Sequence, residues 1–150
     1  MADFEFRFDD AYRLAQRMAA APQIVGEEMT RGIDRLTLQG EGFTKAETPV
    51  KTGHLRRSIA HKPATFAGGV ATGSWGTATP YGRYVEEGRG PVVARGRALR
   101  FEIGGRVLYR KRVGPAQGRW MFRKATARIR PMIPREMNAV LRRIVARMGG

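Results

Sequence analysis

The stretch Thr48 to Ile59, T-P-V-K-T-G-H-L-R-R-S-I, constrains the fold more than any other part of the chain. Pro49 lacks the N–H that would continue a helix and pushes Thr48 away from the α region. Gly53 can take a positive φ, so Thr52-Gly53 makes a sharp turn. Leu55 and Ile59 are four residues apart and share one helical face. A long helical region therefore ends here, the chain reverses through a short helical turn, and most of the β-structure follows. Pro49, Thr52, Gly53, Leu55 and Ile59 are expected to define this corner.

Before the corner, Phe4, Phe6 and Phe8 alternate with Glu5 and Arg7. That period of two predicts a short half-buried strand. Asp9 or Asp10 offers an N-cap to an Ala-rich helix over 11–21, which Pro22 interrupts or restarts. A second helix fits residues 23 to about 46. Its stripe of Val25, Met29, Ile33, Leu36, Gly40 and Phe43 reads as a helix packed on a sheet. Gly40 and Gly42 weaken its C-terminal end.

After the corner, residues 58–66 and 70–77 flank Gly68-Gly69 as a hairpin, with Pro63 at an edge or a bulge. Pro80 opens a short helix, Y-G-R-Y-V-E-E-G, that Gly88 ends. Residues 89 to about 98 are rich in Arg and Gly and read as a flexible basic loop. Leu99, Phe101 and Ile103 alternate, Gly104-Gly105 turns, and residues 107–113 return. A strict two-residue turn sets Phe101 opposite Leu108 but Ile103 opposite Arg106, so either Arg106 sits at a rim or a bulge shifts the register. Two helices close the chain. The first runs over about 119–130 with Phe122, Ala125 and Ile129 on one face. Pro131 stops it, and Pro134 starts the second, with a stripe of Ile133, Met137, Val140, Leu141, Ile144, Val145 and Met148. The fold class is thus α+β: a small antiparallel sheet packed against a long N-terminal helix and C-terminal helices.

A chain of 150 residues makes one domain, and we take 1–150 as a single unit. The absence of cysteine removes disulfides, thiolate chemistry and Cys-built zinc sites. No apolar run approaches the ~18 residues a membrane span needs, and the N-terminus lacks a signal-peptide layout, so no membrane partner and no export are expected. The net charge of +15 is unevenly placed. Residues 1–88 hold 11 Lys/Arg and 11 Asp/Glu, whereas residues 89–150 hold 17 and 2, which is 17 − 2 = +15. Such an asymmetry points the C-terminal part at something acidic, either DNA or a protein surface.

Catalytic patterns fail one by one. K-T-G at Lys51 to Gly53 lacks the S-x-x-K and S-D-N that accompany it in serine β-lactam-binding enzymes. No phosphate-binding loop motif occurs. His54 and His61 do not have the spacing of a helical metal pair. Glu86 and Glu87 point about 100° apart on a helix, so they make no acid/base pair and are expected in solvent or against a neighbouring chain's Arg. Trp75 and Trp120 suit core or interface packing better than base stacking. We expect no enzyme, no cofactor and no metal.

Three blocks carry a resemblance: T-P-V-K-T-G-H-L-R-R-S-I at 48–59, P-Y-G-R-Y-V-E-E-G at 80–88, and R-W-M-F-R-K-A at 119–125. In this order and spacing the chain, over about residues 10–148, resembles the tail-completion or head–tail joining proteins of siphophage necks. The third block departs from that pattern, with Trp120-Met121-Phe122 where a Pro-Phe pair is more usual. The resemblance implies an α+β structural virion protein without catalysis. It implies a homo-oligomeric ring, six-fold, in the phage neck between the head-closure connector and the tail tube or tail terminator, with DNA passing through the channel. On this reading Tyr81, Tyr84, Glu86, Glu87, Arg89, Arg95 and Arg97 form the interface between subunits or rings, the tyrosines as rigid aromatic contacts with polar tips. The alternative is a basic DNA-binding protein that contacts phosphates through its C-terminal Arg-rich region.

Overall fold

The computed structural model describes residues 8–149. One helix, α1 (Phe8–Glu47), is the spine of the molecule. It runs through Pro22 without a break, correcting the expected interruption. A mid-helix proline removes one hydrogen bond and crowds a carbonyl, at about 3 kcal/mol. Good helix formers at Ala19 to Ala21 and the packing of the downstream half offset that cost. Because α1 begins at Phe8, Asp9 and Asp10 lie inside its first turn rather than capping it. Of the expected strand, Phe4 and Phe6 lie outside the described residues, and Phe8 belongs to α1 rather than to a strand.

The corner forms as its residues dictate. Thr48 ends α1 with its hydroxyl donating back to the Thr44 carbonyl at 2.6 Å, and Pro49 stops the ladder. Gly53 sits at φ 74°, in the left-handed region, and starts the short helix α2 (His54–Ser58). Leu55 and Ile59 turn inward, and Ile59 is only 1 % exposed.

Strands β1 (Ile59–Ala67) and β2 (Val70–Thr77) form the expected hairpin over Gly68-Gly69. The register slips between Lys62 and Thr65, around Pro63, as a bulge. The bulge leaves the Ala64 N–H without a ladder partner, and the Asp34 carboxylate of α1 accepts it. The Glu41 carboxylate, two turns on, accepts the His61 backbone N–H at 2.8 Å and also bonds the His61 ring. Two acids of α1 thus complete the open edge of β1. Close approach elsewhere depends on glycine: a Cβ at Gly40 would lie 2.7 Å from the Trp75 ring. Trp75 lies against α1 with its indole N–H donating to Thr44 at 3.0 Å, which satisfies its polar edge.

This edge is sensitive to acid. The Lys45 ammonium, then the His61 ring, hold the Glu41 carboxyl at about 2, against an ordinary value of 4.5. A carboxyl depressed in the folded state stabilises above pH 4.5, and the contribution fades as pH falls toward 2. We expect the native protein to lose about 1–2 kcal/mol more than Glu41→Gln across that window, followed as urea midpoints against pH. Parallel pH profiles for the two proteins would contradict this role.

The other side of α1 carries α4 (Met121–Ile129), a 3₁₀ turn (Arg130–Met132) and α5 (Ile133–Met148). Met121, Ala125 and Ile129 face the core, with Met121 wholly buried. The expected face began at Phe122, which is only half-buried. Trp120 shifts the frame: its φ of 54° is the one positive value among the described non-glycine residues, and it starts α4 at Met121. Val140 and Ile144 of α5 pack on α1, and Gly32 makes room for Val140. The rest of the α5 stripe is incompletely covered, with Ile133, Leu141 and Val145 exposed. A stripe drawn for burial on all its members needs a second helix beside it, and α5 leans chiefly on α1.

Residues 88–117 leave this body. The short helix α3 (Gly82–Glu87) leads into β3 (Gly88–Arg89), paired with β8 (Ala116–Gln117). Next come β4 (Val92–Val93) with β7 (Arg112–Val113), and β5 (Leu99–Ile103) with β6 (Arg106–Arg110). These antiparallel ladders follow one another from root to tip, so 88–117 is one two-stranded arm turning at Gly104-Gly105. The segment expected as a loop at 89–98 is therefore in part a strand, held by the residues that return from the tip. The register at the tip is the strict one, Ile103 opposite Arg106, with both exposed and no bulge. The α+β class holds, but as separate two-stranded sheets rather than one.

Candidate assembly surface

The corner and α3 meet the root of the arm in an open groove of about 700 Å³, lined by Pro49, Tyr81, Tyr84, Val85, Arg89 and residues 116–119. A hollow of about 220 Å³ adjoins it, lined by 49–55 together with Tyr81 and Val85. Seven of the residues singled out in the sequence therefore come together here: Pro49, Thr52, Gly53, Leu55, Tyr81, Tyr84 and Arg89. Leu55 forms the floor of the hollow and Ile59 lies in the core. Tyr81 is held in place by its hydroxyl, 3.3 Å from the His54 Nδ1. Tyr84 stands free and exposed beside it. Arg89 points across the root, its guanidinium donating to the Gly90 and Gly114 carbonyls at 3.3 and 3.4 Å. The sequence reading missed residues 116–118, which bear no motif. The adjoining R-W-M-F block was the signal that this stretch mattered.

Glu86 and Glu87 part company. Glu87 stays outside and pairs with Arg83 at 2.9 Å. Glu86 turns inward and accepts the backbone N–H groups of Phe122 and Arg123 at 2.9 and 3.0 Å. Helix α4 has no side-chain cap of its own, because Trp120 occupies the capping position. Its first-turn donors are satisfied by a carboxylate delivered from α3, and negative charge suits a helix N-terminus. The backbone adds to this clamp, with Arg119 donating to the Val85 carbonyl and Trp120 to the Glu86 carbonyl. Glu86 is thus engaged within the subunit, unlike the exposed or intersubunit role expected of it. Glu86→Gln keeps one acceptor and loses the charge. It should cost about 1 kcal/mol by thermal unfolding, and Glu87→Gln should cost much less. Equal effects would show that the cap does not hold α4.

Arg95 and Arg97 do not line the groove. They lie exposed between β4 and β5, farther out on the arm. The fold also redistributes the charge asymmetry. Arg143 and Arg147 of α5 bridge to Glu28, and Arg147 also to Glu27. Lys124 and Arg128 of α4 bridge to Glu47. Three of the acids that made residues 1–88 neutral, Glu27, Glu28 and Glu47, therefore meet cations from the C-terminal helices. By contrast, no ion pair of the arm forms among the described residues. His54 and His61 are separated, each with its own partner. No group of three His, Cys, Asp or Glu side chains is placed to hold a metal among the described residues. No helix there is long and apolar enough to cross a membrane.

Residues 13–88, just over half of the chain, match a family model, HK97-gp10-like, described as "Bacteriophage HK97-gp10, putative tail-component". Neither a curated protein nor a solved structure matches the chain. The matched span ends where the arm begins, and it contains α1 from residue 13 onward, the corner, the first hairpin and α3. The family is one of structural components of the virion tail, in keeping with the resemblance in the corner block. The chain belongs to the HK97-gp10-like family of bacteriophage tail components.

Proposed function

We propose that copies of this protein close into a ring in the phage neck, where the ring joins the tail tube to the head connector and runs no reaction of its own. The observation that carries the reading is the pairing of two unlike surfaces on one subunit. An aromatic groove opens over the corner, and an arm projects from its rim. A head-to-tail contact between unlike surfaces repeats by rotation, and it closes when the rotation divides a full turn. Tyr81 and Tyr84 give the groove rigid aromatic contact area, and Arg89 and Arg119 add cationic edges. DNA passes through the opening of such a ring.

Electron microscopy of purified particles carrying a tagged copy tests the proposal. Density for the tag at the collar between capsid and tail, with rotational symmetry end-on, is the expected result. Density along the tail shaft, at its tip or inside the capsid would overturn it.

A further inference from the structure

We propose that the arm formed by 88–117 docks, through its exposed part, on an acidic surface of a different protein of the particle. The proposal rests on the reading of the chain as a particle component, but not on the ring.

The arm carries eight Lys/Arg and one Asp/Glu, a net 8 − 1 = +7 in thirty residues. A second copy is poorly equipped to neutralise it. Every acid whose side chain the structure describes, Glu102 excepted, already accepts hydrogen bonds within its own subunit. Glu27, Glu28, Glu47 and Glu136 bind arginines, Asp34 and Glu41 bind β1, and Glu86 caps α4. Two identical arms laid side by side would also repel each other. The complement must come from another molecule.

The arm's apolar residues choose between nucleic acid and protein. Directly paired residues of an antiparallel ladder share a face. Phe101 and Leu108 therefore lie on one face with Ile103 and Arg106 at the tip and Leu99 and Arg110 at the inner end. Ile103 is 59 % exposed, and Tyr109 on the opposite face is 63 % exposed. A lone two-stranded ribbon is marginal in water and gains stability when one face is covered. An apolar centre between arginines has the layout of a protein interface, with its dry middle and polar rim. Phosphates would engage the arginines and leave Phe101, Ile103 and Leu108 uncovered.

A photo-crosslinking benzoylphenylalanine in place of Ile103, carried in assembled phage particles, reads out the neighbour directly. The expected product is an adduct to a different particle protein, at a segment rich in Asp and Glu. An adduct to DNA, an adduct to another copy of this chain, or no adduct would each overturn the proposal. The charge contribution is tested by R106E/R110E. We expect incorporation into particles to fall about tenfold or more, with the unfolding midpoint of the purified protein unchanged. Undiminished incorporation would also overturn the proposal. The same crosslinker in place of Tyr84 reports self-contact at the groove, so failure of the ring and failure of the arm are told apart.

Discussion

Gly118→Ala should lower stability by about 3 kcal/mol and the unfolding midpoint by roughly 6–12 °C for a chain of this size. A Cβ at this position would lie 2.4 Å from the Glu86 carbonyl oxygen and 2.6 Å from the Glu87 carbonyl carbon. Both obstacles are backbone, which cannot rotate aside as a side-chain end can. Relief requires α3 to separate from the returning strand of the arm. That movement breaks the bonds from Arg119 to Val85 and from Trp120 to Glu86, and it draws the Glu86 carboxylate off α4. The groove should therefore be lost along with the stability. Gly114→Ala is the control, because nothing lies within 4 Å of its new Cβ. Similar melting curves for the two variants would mean that the root of the arm is not the tight joint described here. A matched loss of particle incorporation by Gly118→Ala alone would tie the joint to assembly.

What the sequence disclosed was local. Pro49, Gly53 and the spacing from Leu55 to Ile59 determine their own geometry, so the corner was legible from its residues alone. The hairpins over Gly68-Gly69 and Gly104-Gly105 were legible for the same reason, since turn chemistry acts over a few residues, but the choice between a strict register and a bulge at Arg106 was not. Contacts between distant segments left no periodic signal. Asp34 and Glu41 look like ordinary solvated helix acids until the bulge at Pro63 and the edge of β1 come to meet them. Glu86 gives no sign that it caps a helix thirty-six residues away. The arm was half visible: its outer hairpin alternates, but β3 and β4 are two residues each and sit among Arg, Gly and Pro. Strands that short are made by their partners rather than by their own pattern.

The charge reading shows the same limit. Counting by position placed the whole excess in residues 89–150 and made the C-terminal helices look ready for phosphate. Folding brings Glu27, Glu28 and Glu47 of α1 against cations of those helices, while the arm has no such partners among the described residues. The exposed pairs at Glu27 and Glu47 add little stability individually, whereas Glu28 is buried and shares its carboxylate between Arg143 and Arg147. The effect of all these pairs is on where the net field points, and they concentrate it on the arm. A basic composition therefore marks an excess of cations without saying which of them the fold itself neutralises.

Met121→Ala is expected to have the largest effect of any single truncation, about 2–5 kcal/mol, or roughly 4–20 °C in the unfolding midpoint. Met121 is wholly buried between α1 and α4, and its sulfur lies 3.3 Å from the Thr48 hydroxyl oxygen. Truncation opens a cavity at the point where the end of α1, the start of the corner and the first turn of α4 meet. Met121→Leu keeps the volume and should cost less than about 1.5 kcal/mol. The position also couples to Glu86, which binds the next two backbone N–H groups. If the first turn of α4 is loosened by the cavity, the cap has less left to hold. Met121→Ala combined with Glu86→Gln should then cost less than the sum of the two, by about 0.5 kcal/mol or more in a double-mutant cycle. Strict additivity would mean that core and cap support α4 independently, and that the groove beside them is not braced by the packing behind it.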